Sequence, residues 1–101
     1  MPLFCMIGRD GPQGLALRKL HREAHLNNVA PLREAGQMAY AGPLIDDASQ
    51  PCGSILIFEA DDLEAARRFA STDPYVVQGI FASYEVIETR AVVSHTVPTT
   101  A

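Results

Sequence analysis

The sequence predicts an α+β domain of ferredoxin-like type, with a four-stranded antiparallel sheet and its helices on one face. Three observations carry that expectation. The patterned segments follow one another as β-α-β-β-α-β along 101 residues. The two middle strands are joined by turn-rich chain and so form a hairpin. The first and third strands are apolar at nearly every position, the pattern of strands covered on both faces.

The first strand runs from Leu3 to Ile7 and is ended by Gly8 and the turn residues Asp10-Gly11-Pro12. A helix follows from Leu15 to Ala35, with Gly36 as its stop. At ~100° per residue, Leu17, Leu20, His21, Ala24, His25, Asn28, Leu32 and Ala35 share one side. Leu26, Val29 and Ala30 lie opposite. Pro31 lacks a backbone donor and is expected to kink or split the helix near its last turn.

Met38 to Gly42 forms the second strand and Ser54 to Ala60 the third, with Pro43 to Gly53 as a long loop between them. Asp61 or Asp62 caps a second helix whose apolar stripe is Leu63, Ala66, Phe69 and Ala70. Asp73-Pro74 reads as N-cap and first residue of a short helical turn closed by Gly79. Phe81 to Glu88 is the fourth strand. The domain is placed at residues 1–93, and the small, Thr-rich residues 94–101 read as a flexible C-terminal tail.

A chain of this length holds one domain, yet 48% of it is apolar. Helices cover one face of such a sheet, so a second copy of the chain is the expected cover of the other, giving a homodimer or a higher oligomer. The net charge is −4, and basic residues gather only at Arg18-Lys19, Arg22 and Arg67-Arg68. Nucleic acid and anionic membranes are therefore not expected partners. No apolar run reaches the ~20 residues of a membrane span. The first residues lack the features of a signal peptide, and Cys5 and Cys52 show no Cys-x-x-Cys spacing, so a cytoplasmic setting is expected. No phosphate loop, nucleophile elbow or dinucleotide fingerprint occurs, and no cofactor is expected.

Among residues that could do chemistry, His21 and His25 stand one turn apart on the first helix. That spacing suits paired metal ligands, and it equally suits polar residues at the edge of a core. Asp73 can cap its turn and also orient a histidine, because a carboxylate has several acceptor sites. Gly42-Pro43 either ends a strand or lets a ligand approach the backbone. Tyr75 can line a pocket or belong to the core.

These segments together resemble the YciI-like (YCII-related) family. The likeness rests on Arg22-Glu23-Ala24-His25-Leu26, Ala41-Gly42-Pro43-Leu44, Gly53-Ser54-Ile55-Leu56-Ile57-Phe58-Glu59, Leu63-Glu64-Ala65-Ala66, Asp73-Pro74-Tyr75 and Gly79-Ile80-Phe81. The resemblance implies a dimeric α+β barrel and an active-site pair at His25 and Asp73. It also implies kinship with a dehydrochlorinase of chloroaromatic breakdown and, more remotely, with muconolactone isomerases. The expected function is acid–base catalysis on a small organic substrate, as an isomerase, lyase or dehydrochlorinase. His25 is then the base and Asp73 its partner, with His21, Arg18, Gly42, Pro43 and Tyr75 around the substrate. Two alternatives stand beside it: a non-catalytic ligand-binding or regulatory dimer, and a metal-binding protein using His21 and His25.

Overall fold

The computed structural model describes residues 1–95 and residue 99. The proposed tail therefore lies partly outside the described residues. The elements are β1 (Leu3–Asp10), α1 (Gly14–Glu34), β2 (Met38–Ile45), β3 (Pro51–Glu59), α2 (Leu63–Ser71), α3 (Pro74–Val77) and β4 (Phe81–Thr89). The sheet order is β2-β3-β1-β4, and every neighbouring pair is antiparallel. This is the ferredoxin-like arrangement that the element order implies.

Strand alternation sorts the side chains. Phe4 and Met6 of β1, Leu56 and Phe58 of β3 and Val86 of β4 share the face under the helices, and all are buried. Ala66 and Ala70 of α2, Tyr75 of α3 and Ile80 close the same core. Leu3, Cys5, Ile7, Ile55, Ile57 and Ile87 alternate onto the opposite face, which carries no helix.

Three local expectations are corrected. The segment from Pro43 to Gly53 is mostly strand: β2 continues to Ile45, and only residues 46–50 turn. Pro43 pairs with Ser54 within the ladder. β2 is an edge strand, where a residue lacking N–H leaves no inner hydrogen bond unmade. Pro31 does not split α1, which is helical through Glu34. With Pro31 only one turn from the end, a single bond is lost and the turn closes through Ala35 N–H to the Pro31 carbonyl at 3.0 Å. The buried stripe of α1 is Gly14, Arg18, His25 and Val29, while Leu20 is 75% exposed. His25 lies inward as expected, with Leu17 and Leu32 packed on the core, whereas Leu20 and Ala24 face out and Arg18 and Val29 face in.

Candidate functional site

The site begins with the turn that ends α2. Asp73 takes extended backbone angles and its carboxylate accepts from the Tyr75 N–H at 2.9 Å, capping α3. Pro74 suits the first helical position because its missing N–H is unpaired there in any helix. Gly79 adopts φ +73°, and Ile80 N–H returns to the Tyr75 carbonyl at 3.0 Å. The turn thus fixes Asp73 and Tyr75 against α1.

His25 comes from the middle of α1 and meets that turn. Its Nδ1 lies 2.8 Å from Asp73 Oδ1, the oxygen that also caps α3. A carboxylate only accepts, so Nδ1 carries the hydrogen, and in the neutral imidazole the lone pair is then on Nε2. Asp73 is fully buried, and its Oδ2 has no partner among the described residues. The His25 ring stacks on the Tyr75 ring, with centroids 4.1 Å apart and planes at 3°. Phe81 meets Tyr75 edge-on at 5.8 Å. Burial raises the Tyr75 phenol above its ordinary value, and the nearby Arg18 and Arg22 pull the other way.

Arg18 lies two turns before His25 on the same helix. Its Nε donates to Asp10 Oδ2 at 2.6 Å, and its Nη2 donates to Asp10 Oδ1 and to Ser54 Oγ, both at 2.9 Å. Its guanidinium carbon stands 4.9 Å from the Tyr75 ring centroid. Asp10 reaches Arg18 across Gly14, where a Cβ would fall 2.5 Å from Asp10 Oδ2. Arg18 and His25 thus both bear on Tyr75, each held by its own carboxylate.

A cavity of about 370 Å³ opens between α1 and the β2–β3 side of the sheet. Arg18, Lys19, Arg22 and His25 line it from the helix. Gly42, Pro43, Ser54 and Leu56 line it from the sheet, and Tyr75 from α3. Of the site residues expected from sequence, His25, Arg18, Gly42, Pro43 and Tyr75 meet at this cavity, and Asp73 stands directly behind His25. His21 is half-buried and is not among the lining residues. Among the described residues, no group of three or more His, Cys, Asp or Glu could hold a metal, so His21 and His25 gain no further ligand. Sequence reasoning passed over Arg22 and Lys19, which share the Arg18 rim of α1 at helical spacing. It also passed over Asp10 and Ser54, whose roles arise only from tertiary pairing.

Comparison with known proteins gives a consistent set of likenesses. The family model of the YCII-related domain matches residues 2–90. Protein YciI of Escherichia coli is 33% identical over 90 residues, spanning 83% of this chain and 92% of that protein. An uncharacterised protein of Haemophilus influenzae is 33% identical over 85 residues, spanning 78% of this chain and 87% of its own length. Among solved structures, the 5-chloro-2-hydroxyhydroquinone dehydrochlorinase of Burkholderia phenoliruptrix, in complex with 2,5-dihydroxybenzoquinone, superposes with TM-score 0.78. It is 29% identical, and the match covers 88% of this chain and 94% of that one. An antibiotic biosynthesis monooxygenase superposes with TM-score 0.52 at 18% identity, a likeness of fold alone, and covers 92% of this chain and all of that one.

Proposed function

The chain belongs to the YCII-related family, and from that premise we propose that it is an acid–base enzyme of the isomerase or lyase type, acting on a small cyclic organic molecule. The observation that carries this reading is the 2.8 Å contact of His25 Nδ1 with a buried Asp73, on a histidine that lines a cavity. Asp73 holds the tautomer in which Nε2 is the basic nitrogen. Nε2 takes a proton from a carbon or hydroxyl of the substrate. The electron pair left behind forms a new double bond, either expelling a leaving group or accepting the proton at another carbon. The Asp73 charge, desolvated and partnered among the described residues only through Oδ1, stabilises the imidazolium formed meanwhile. Tyr75 fixes the plane of the imidazole by stacking. The dehydrochlorinase likeness supports an elimination among the reactions to be tried. The working unit is proposed to be a homodimer in the cytoplasm. No helix among the described residues is long and apolar enough to cross a membrane, and both cysteines are free.

The test is turnover on a panel of hydroxylated and chlorinated aromatic compounds and small lactones. His25→Gln is expected to lower turnover by about 10²–10⁴, the worth of a positioned general base. Asp73→Asn is the sharper probe, because asparagine still caps the α3 turn and removes only the charge. Undiminished turnover by His25→Gln on any compound that the wild type converts would overturn the reading. Binding without conversion across the panel would favour the non-catalytic dimer.

A further inference from the structure

The charge of the cavity is set by one helix. Arg18, Lys19 and Arg22 line it from α1, and no Asp or Glu is among the described lining residues. In a chain of net charge −4, three cations without an acid run against the composition. The three differ in freedom. The charge of Arg18 is matched inside the fold, where Asp10 and Ser54 occupy its Nε and Nη2. Lys19 and Arg22 are exposed and have no ion pair among the described residues.

Helical spacing places Arg22 one turn from Arg18, Lys19 and His25, with Cβ separations of about 5–6 Å. Like charges at that spacing repel by a few tenths of a kcal/mol. The exposed face of α2 solves the same problem by interleaving, with Glu64 3.1 Å from Arg68. On α1, Glu23 stands one turn from Lys19, whereas Arg22 has Arg18, Lys19, His25 and Leu26 at that spacing and no acid. The Arg18 guanidinium stands 4.9 Å from the Tyr75 ring on which His25 stacks, so the cationic side of the cavity lies beside His25. The facing wall is largely apolar, from Pro43, Pro51 and Leu56, with Gln50 and Ser54 as its polar members. The cavity volume of about 370 Å³ stands at the low end of small-molecule sites and suits a single ring rather than a nucleotide.

We propose that the cavity takes a compact cyclic organic oxyanion, such as a ring carboxylate, with its charge held by Arg22 and Lys19 and its ring against the Pro43–Leu56 wall. The role of the bound anion as a substrate rests on the acid–base reading; its binding does not. Arg22 is the specificity residue, and its planar guanidinium can hold both oxygens of a carboxylate at once.

The experiment compares benzoate with benzamide, and cyclohexanecarboxylate with its amide, by NMR titration of the aromatic signals of His25 and Tyr75. Each carboxylate is expected to bind at least about tenfold tighter than its neutral counterpart, the worth of one charge-assisted hydrogen bond. Salt should weaken that preference. Arg22→Gln should abolish it, Arg22→Lys should keep part of it, and Lys19→Gln should reduce it. Because Arg22 and Lys19 are exposed, these variants should keep the wild-type circular dichroism spectrum. Equal binding of acid and amide, a preference untouched by Arg22→Gln, or no binding of either carboxylate at millimolar concentration would overturn the proposal. The readout is binding, so it stands apart from the role of His25. A His25→Gln variant with undiminished turnover would sink the acid–base reading and leave the Arg22-dependent preference in place.

Discussion

Arg18 shows how much of this site depends on single residues held against their chemistry. It is 9% exposed, and the side chain of its partner Asp10 is 7% exposed. Removing one member of a buried pair strands the other charge, typically at about 3–5 kcal/mol. Asp10→Ala is therefore expected to lower stability by about 3 kcal/mol in urea denaturation, and adding Arg18→Met should restore a large part of it. A double variant no more stable than Asp10→Ala would show that the pair is not the cause. Tyr75 gives a pH test. Its phenol titrates above the ordinary value of 10.0 because of burial, so the folded state holds its proton longer than the unfolded chain. The resulting stability is complete below pH 10 and is lost as pH rises through the folded-state value. The urea midpoint of the wild type should thus fall more steeply above pH 10 than that of Tyr75→Phe. At this scale the sequence was only partly legible. The pairing of His25 with Asp73 spans 48 residues and was reached by family resemblance, not by spacing. The Arg18–Ser54 contact spans 36, and no local pattern announces it.

Elements were more legible, and the misreadings share a cause. Hydrophobic periodicity found α1 and set His25, Leu17 and Leu32 inward, but it also turned Leu20 and Ala24 inward and left Arg18 and Val29 off that face. Once a carboxylate waits inside, an inward polar side chain ceases to be an error of patterning. The same blindness shortened the hairpin strands, since Pro43 breaks a central strand but sits without loss on an edge. Turn chemistry was read well: Gly36 and Gly79 both adopt φ +73°, the left-handed region that their positions after helices imply. Open space surrounds the missing Cβ of Gly79, so backbone strain is the whole effect of a side chain there. Gly79→Ala is expected to lower stability by about 1–2 kcal/mol in urea titration. The His25–Asp73 pairing, followed by the NMR signal of the His25 ring, should survive. A loss of that signal pattern in a folded variant would show that the α3 turn and the dyad are one unit rather than two.

At the scale of the molecule, the sheet carries a face that no helix reaches. Leu3, Ile7, Ile55 and Ile57 lie on it half-buried, and Ile87 remains 55% exposed and Tyr40 51% exposed. The apolar excess of the composition is thus located, and a second copy laid face to face is the proposed cover. Light scattering at micromolar concentration should then give twice the 10.9 kDa of one chain. Ile57 pairs in register with Cys5 and Tyr40, near the middle of the face, so Ile57→Lys should drive the mass toward one chain. Cys5 supplies a second, independent reporter. Burial and then the charge of Glu85 raise its thiol above the ordinary value, which keeps it protonated and slow to react. Cys52 lies on the other side of the sheet by strand alternation and is half-buried. In the wild type, Cys5 should be alkylated more slowly than Cys52, and dilution below the dimer's dissociation range should quicken Cys5 alone. If a copy covers this face, Ile57→Lys quickens Cys5 to the same degree as dilution does. A wild-type mass near 10.9 kDa, or a Cys5 rate indifferent to both dilution and Ile57→Lys, would mean that something other than a second copy meets this face.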